Sequence, residues 1–249
     1  MHLQDRYEVA AINRMAFESW RSLAGATFTN KDAQYVAWKN GRKGVYATNG
    51  SPLSVIAASA AGLPSPDLFC YALLAKFAGY APGYSRVLPD HPNYLTWIVL
   101  KAHTNNTAGS VQLQSADPRD PPSINFRYFE EGNDATGDDL RGAVEGLKLA
   151  RRLAKRLKDQ GLIAEEELPG DAIDSDDKLR QFVRDQAWGH HASCTCRIGG
   201  REIGGVLSSD FRVHGTAGLR VVDASVFPRI PGLFIVSAVY MRTCWRRGS

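Results

Sequence analysis

One apolar stripe constrains this chain more than any other feature. Between Asp139 and Gln160, Leu140, Ala143, Val144, Leu147, Ala150, Ala154 and Leu157 recur at three- and four-residue intervals, and Gly161 follows. At 3.6 residues per turn these side chains line one face of a long helix, which the glycine is suited to end. A helix of this kind depends on a partner that covers its stripe. The candidate partners lie upstream. YLTWIVLKA (94–102) is dense in β-branched and aromatic residues. SVQLQS (110–115) alternates Val111 and Leu113 with glutamines. SINFRYF (123–129) places Ile124, Phe126 and Tyr128 on one face, Asn125 and Arg127 on the other. Period-two alternation predicts strands with one wet side, and the prolines and aspartates of ADPRDPP (116–122) predict a turn that pairs the last two antiparallel.

The remaining elements are shorter. Residues 5–23, DRYEVAAINRMAFESWRSL, read as a strand or a short amphipathic piece. KDAQYVAWKN (31–40) reads as a helix stopped by Gly41, and Pro64 and Pro66 break the small apolar run at 49–62. A second amphipathic helix is predicted over 176–187. Ser175 is its N-cap, Asp176 and Asp177 suit the positive end of its dipole, and Leu179, Phe182 and Val183 form its buried face. Beyond it, 206–215 and 218–228 are β-like runs ending in turns, while FIVSAVYM (234–241) is equally a strand or a buried helix. The fold class expected is α+β: an antiparallel sheet with flanking helices.

Composition narrows the function classes. Of 249 residues, 44% are apolar and 22% charged, the balance of a globular protein with a sizeable core. The net charge of +4 is dispersed, and its densest cluster, RRLAKRLK (151–158), is the solvated face of the long helix, so no nucleic-acid partner is expected. The chain has no apolar run of transmembrane length, and MHLQDRYEVA lacks a signal-peptide layout. Four scattered cysteines read as free thiols in a reducing compartment, which favours the cytoplasm.

The chemistry concentrates in WGHHASCTCRIGG (188–200). His190, His191, Cys194 and Cys196 are zinc-type ligands, but Cys-x-Cys splays its thiolates and adjacent histidines tend to point apart, so no metal is expected. The bland alternative is one packed histidine and two thiols acting as small core residues.

The residues that follow supply a third reading. HHASCTCRIGG and VLSSDFRVHGTAGLRVVDASVFPRIPG resemble the C-terminal signature of the glucose–methanol–choline (GMC) flavin oxidoreductases. That pattern runs His-Pro-x-x-Thr-Cys-x-Met-Gly, then Val-Asp-x-x-x-Arg-Val-x-Gly, then Leu-Arg-Val-x-Asp-Ala-Ser-x-x-Pro. It falls here on His191–Gly199, Ser209–Gly215 and Leu219–Pro228. AGSVQLQSADPRDPPSI (108–124) and LQDRYEV (3–9) resemble further elements of the family, and the choline-dehydrogenase-like branch is the nearest in character. The resemblance implies FAD as cofactor and a small-molecule alcohol as substrate. It makes His191 the catalytic base that takes the hydroxyl proton, with His190 in a packing role. Asp223 and Ala224 would lie where the chain returns to the cofactor. It also implies a substrate-binding domain over 1–186, with the family's C-terminal region starting near 105, and a remnant of an FAD-binding α/β domain over 187–249.

Three departures qualify that expectation. The family's phosphate-binding Gly-x-Gly-x-x-Gly has no match, since the glycines of IGGREIGG (198–205) have other spacing. Phe234 falls where the family places an Asn or His opposite the catalytic histidine. The tail MRTCWRRGS shows no helical stripe. The chain is therefore expected to be a piece of a larger oxidoreductase, with weak FAD binding by itself. The alternatives are an inactive fragment, a half that needs a complementing FAD-binding chain, or a small metal-binding domain.

Overall fold

A computed structural model describes residues 2–244, and the side chains of 2–241. The regular elements are β1 (Tyr7–Met15), α1 (Ala33–Gly41), β2 (Leu53–Ala57), β3 (Leu68–Leu73), β4 (Tyr94–Lys101), β5 (Ser110–Gln112), β6 (Ser123–Asn125), α2 (Asp138–Asp159), β7 (Ile163–Leu168), α3 (Asp176–Gln186) and α4 (Val236–Cys244). They fall into two compact units. One, the sheet unit, comprises Glu8–Leu100 and Gly142–Ala187. The other, the motif unit, comprises the residues up to Tyr7, Lys101–Arg141, and the chain from Trp188 onward. One boundary falls between Ala187 and Trp188. The others fall inside β1, β4 and α2.

The sheet unit is built on five strands in the order β2-β3-β4-β1-β7, with the β2–β3 and β1–β7 pairs antiparallel. Every residue of β4 is buried, and β1 is buried along all but one position, because both strands are central and covered. The two edges differ. β7 is IAEEEL, and its Glu165 pairs in register with Arg14 and accepts a hydrogen bond from it at 2.9 Å. Charges on an edge strand discourage pairing with other chains. β2 leaves Leu53 and Ile56 exposed.

The long helix covers the sheet as its stripe requires. Leu140, Ala143, Val144, Leu147, Ala150 and Ala154 are buried, and Leu157 is half-buried. Gly146 is the point of closest approach, where a Cβ would collide with Val99 Cγ1 on β4. Arg151 ties the helix to β7 through Glu166, with Nη2 at 2.6 Å from Oε1, and its Nη1 donates to the Ile173 carbonyl at 2.6 Å. α3 starts on its predicted cap, the Ser175 hydroxyl accepting from Lys178 N, and it buries Leu179, Phe182 and Val183. Asp32 caps α1 in the same way.

Several expectations are corrected. The expected antiparallel ribbon β5–β6 forms, with Val111 opposite Ile124, but over only three residue pairs. Its apolar side is not covered: Val111, Leu113 and Ile124 are 43%, 84% and 54% exposed. The runs at 206–215 and 218–228 form isolated bridges, Leu207 with Val213 and Arg212 with Arg220, instead of strands. Gly204, Gly215 and Gly218 each take positive φ there and turn the backbone before a ladder can extend. Their apolar side chains instead build a small core, in which Leu207, Phe211, Val226, Phe227 and Ile230 surround Cys194. FIVSAVYM resolves as helix from Val236 on, and the tail expected to lack helix continues α4 through Cys244; residues 245–249 lie outside the described residues. β2, β3 and β7 were not anticipated as strands.

Candidate active site

The candidate site lies in the motif unit, and its organising segment is Leu3-Gln4-Asp5-Arg6. Leu3 N donates to the Gly109 carbonyl at 3.0 Å, while Gln4 and Ser193 exchange backbone hydrogen bonds at 3.1 and 2.9 Å. The side chains continue the stitching. Gln4 Oε1 accepts from Ile230 N at 2.7 Å and from Cys194 Sγ at 3.3 Å. Asp5 Oδ1 accepts from the amides of Arg6 and His191, both at 2.8 Å, and its Oδ2 from the Tyr128 hydroxyl at 3.2 Å. The Arg6 guanidinium is fully buried and donates to the carbonyls of Pro231 and Gly232. Gly189 fits beneath this segment because it has no side chain: a Cβ there would collide with Asp5 Oδ2 and the Arg6 carbonyl.

His191 is thereby held with its backbone anchored and its ring buried, at 6% exposure. Burial, helped by the nearby positive charge of Arg6, pushes its imidazole down to about 4, and the Asp5 carboxylate opposes the shift. The ring is neutral at physiological pH and able to accept a proton. Burial pushes Asp5 above its ordinary value, against the hydrogen bonds from Arg6, His191 and Tyr128. His190 is exposed, and its ring stacks on Trp188 at 5.6 Å between centroids. The Phe234 ring meets that of His191 edge to face, 5.3 Å between centroids at 77°.

Asp223 and Ala224 are brought to the other flank of the same loop. The amides of Cys194, Cys196 and Ile198 donate in succession to the carbonyls of Ala224, Ser225 and Val226 at 3.2, 2.9 and 2.9 Å. The two signature segments therefore run side by side. Asp223 is exposed and caps the short turn Ala224–Val226, its Oδ1 accepting from Ser225 N at 2.8 Å. The cysteines take core positions. Cys194 is fully buried with φ of 74°, and burial pushes its thiol up to about 12. The His190 and His191 rings do not point apart as expected but lie 4.1 Å apart between centroids; among the described residues, no metal-ligand cluster joins either cysteine to them.

Sequence reasoning singled out His191, Asp223, Ala224 and Phe234; it noted LQDRYEV as a family-like stretch but assigned no role to Gln4, Asp5 and Arg6. The only local signal is three consecutive polar residues, Gln4, Asp5 and Arg6, ahead of the apolar alternation that starts at Tyr7.

Comparison with known proteins places these features in context. A family profile described as GMC oxidoreductase matches residues 105–243. A glucose methanol choline oxidoreductase of Aspergillus terreus is 33% identical over 167 residues, 66% of this chain and 26% of that protein. An oxygen-dependent choline dehydrogenase of Pseudomonas fluorescens is 39% identical over 123 residues, 49% of this chain and 21% of that protein. Among solved structures, a formate oxidase of Aspergillus oryzae RIB40 superposes with a TM-score of 0.76 at 23% identity, covering 98% of this chain and 47% of that one. The chain thus spans about a quarter of the length of the curated relatives it matches.

Proposed function

The chain belongs to the GMC oxidoreductase family, and from that premise we propose that it carries the proton-accepting half of an FAD-dependent oxidation of alcohol-type substrates. The observation that carries the proposal is His191. It is a buried imidazole kept neutral, anchored through its amide, and set in the segment that matches the family profile. When bound, FAD would supply the acceptor for the hydride that leaves the alcohol carbon. His191 would take the hydroxyl proton, and the Asp5 carboxylate favours the ring once protonated. The Phe234 ring shapes an apolar wall beside the imidazole and donates no hydrogen bond to substrate oxygen. Asp223 and Ala224 would face the flavin: Asp223 is exposed and Ala224 half-buried, at a turn that the His191 loop holds through three successive backbone hydrogen bonds.

The test is anaerobic reduction. The chain, produced together with a family-type FAD-binding half, is mixed with simple primary alcohols while the flavin absorbance is followed. Bleaching that slows about 10²–10⁴-fold in His191→Ala supports the assignment. Bleaching at an unchanged rate in that variant overturns it.

A second reading is that the chain is a half that needs a complementing FAD-binding chain. Leu219, Val236, Tyr240 and Met241 favour it, being 52%, 57%, 67% and 74% exposed in the motif unit. Apolar exposure of this kind marks a surface that another body covers. Amide exchange in the chain alone tests this reading: strong protection throughout 206–241 in a monodisperse monomer sinks it.

A further inference from the structure

Asp5 and Arg6 are neighbours in sequence whose side chains reach different segments. In extended backbone, successive side chains point to opposite sides, so two adjacent residues can grip two separate pieces of chain. Asp5 takes the amide of His191 and the hydroxyl of Tyr128. Arg6 takes the two carbonyls of the Pro231–Gly232 turn, just ahead of Phe234. The segments so held are those whose rings meet edge to face, His191 and Phe234. A fully buried guanidinium is an expensive way to fill a core, since an apolar side chain of similar volume would avoid its desolvation. Its planar fork gives direction in return, because donors in fixed geometry dictate where the two carbonyls sit.

We propose that Asp5 and Arg6 are paired positioning residues that set the separation of the His191 and Phe234 rings, Asp5 by fixing the backbone of the imidazole and Arg6 by fixing the turn that delivers the phenyl ring. The proposal builds on the reading of His191 as the proton acceptor. It assigns the accuracy of that site to the segment that holds the histidine loop and the Pro231–Gly232 turn.

The test uses the full chain, uniformly isotope-labelled. Asp5→Asn keeps the shape of the side chain but exchanges a charged acceptor for a neutral one. His191 amide exchange should rise roughly tenfold or more, while the amides of Leu140–Ala154 stay as in the parent. Arg6→Met should weaken the magnetisation transfer between the His191 and Phe234 rings, and Arg6→Lys should restore part of it. In flavin-loaded protein the same variants should lower kcat with little change in KM.

Unchanged His191 exchange in Asp5→Asn, or an intact ring contact in Arg6→Met, overturns the proposal. So does exchange that rises equally in the long helix, which would mark a general stability role. The underlying reading fails separately: turnover that survives His191→Ala removes the proton-acceptor role, whereas the exchange data would still measure the grip of Asp5.

Discussion

The His191 amide donates to Asp5 Oδ1 at 2.8 Å, joining residues 186 positions apart. The bond passes over Gly189, where any Cβ would strike Asp5 Oδ2. The histidine pair is thus presented by a loop whose shape depends on a carboxylate near the start of the chain. From this relationship follows a clear order among the histidines. His191→Ala should lower alcohol-dependent flavin reduction about 10²–10⁴-fold, whereas His190→Ala, which removes an exposed ring stacked on Trp188, should change it little. Turnover measured on both variants with the FAD-binding half present decides this, and a larger loss from His190→Ala reverses the assignment.

The protonation state of His191 gives a second prediction. Its ring is pushed down to about 4, so the folded state prefers the neutral imidazole more than the unfolded chain does, whose value is 6.5. The stability this contributes is fully present above 6.5 and is lost as pH falls toward and through about 4. Histidine-selective NMR should show the His191 resonance unmoved from pH 8 to about 5. A His191 midpoint near 6.5 would contradict the burial described here.

Asp32 predicts an acid response in the sheet unit. Burial opposes its charge, but four hydrogen bonds outweigh that. The Tyr46 hydroxyl and the Thr27 and Thr29 amides donate to Oδ2 at 2.7, 2.9 and 3.4 Å, and the Tyr35 amide donates to Oδ1 at 2.7 Å. Its carboxyl is held well below the ordinary 3.8. The stabilisation is therefore complete above that value and is lost progressively as pH falls below it. Exchange in the segment 26–47 should rise on acidification, and Asp32→Asn should show the same rise already at neutral pH. Equal protection in the variant at pH 7 would remove Asp32 as the organiser of this segment.

Gly146 predicts a packing effect of definite sign. Alanine gains about 1 kcal/mol over glycine in helix propensity, but overpacking costs typically about 1–3 kcal/mol. The new Cβ would meet Val99 Cγ1, a stiff β-branched neighbour. Gly146→Ala should therefore destabilise the fold by roughly 1–2 kcal/mol in urea denaturation. In a Val99→Ala background the same change should be neutral or stabilising. A stabilising Gly146→Ala in the parent would mean the helix and strand are not in close contact there.

Local periodicity was enough to locate the elements whose own residues carry the pattern. The stripe of α2, the cap and buried face of α3, the stop of α1 at Gly41 and the apolar run of β4 are each written within one short segment. The signature loops could also be read, because the His191 and Asp223 segments resemble a family pattern at most of its specified positions. Tertiary structure decided the rest. IAEEEL shows no period-two apolar face, so its strand character depends on pairing with β1, where Arg14 meets Glu165. The alternating runs after residue 206 failed as strands because glycine-turned backbone left them no partner to pair with, and their side chains closed a core around Cys194 instead. Asp5 and Arg6 gave no periodic signal, since hydrogen bonds spanning 186 and more than 220 positions leave no trace in local spacing. A sequence determines such contacts only through the whole fold, because the free energy of a buried hydrogen bond belongs to the pair and neither residue carries it alone.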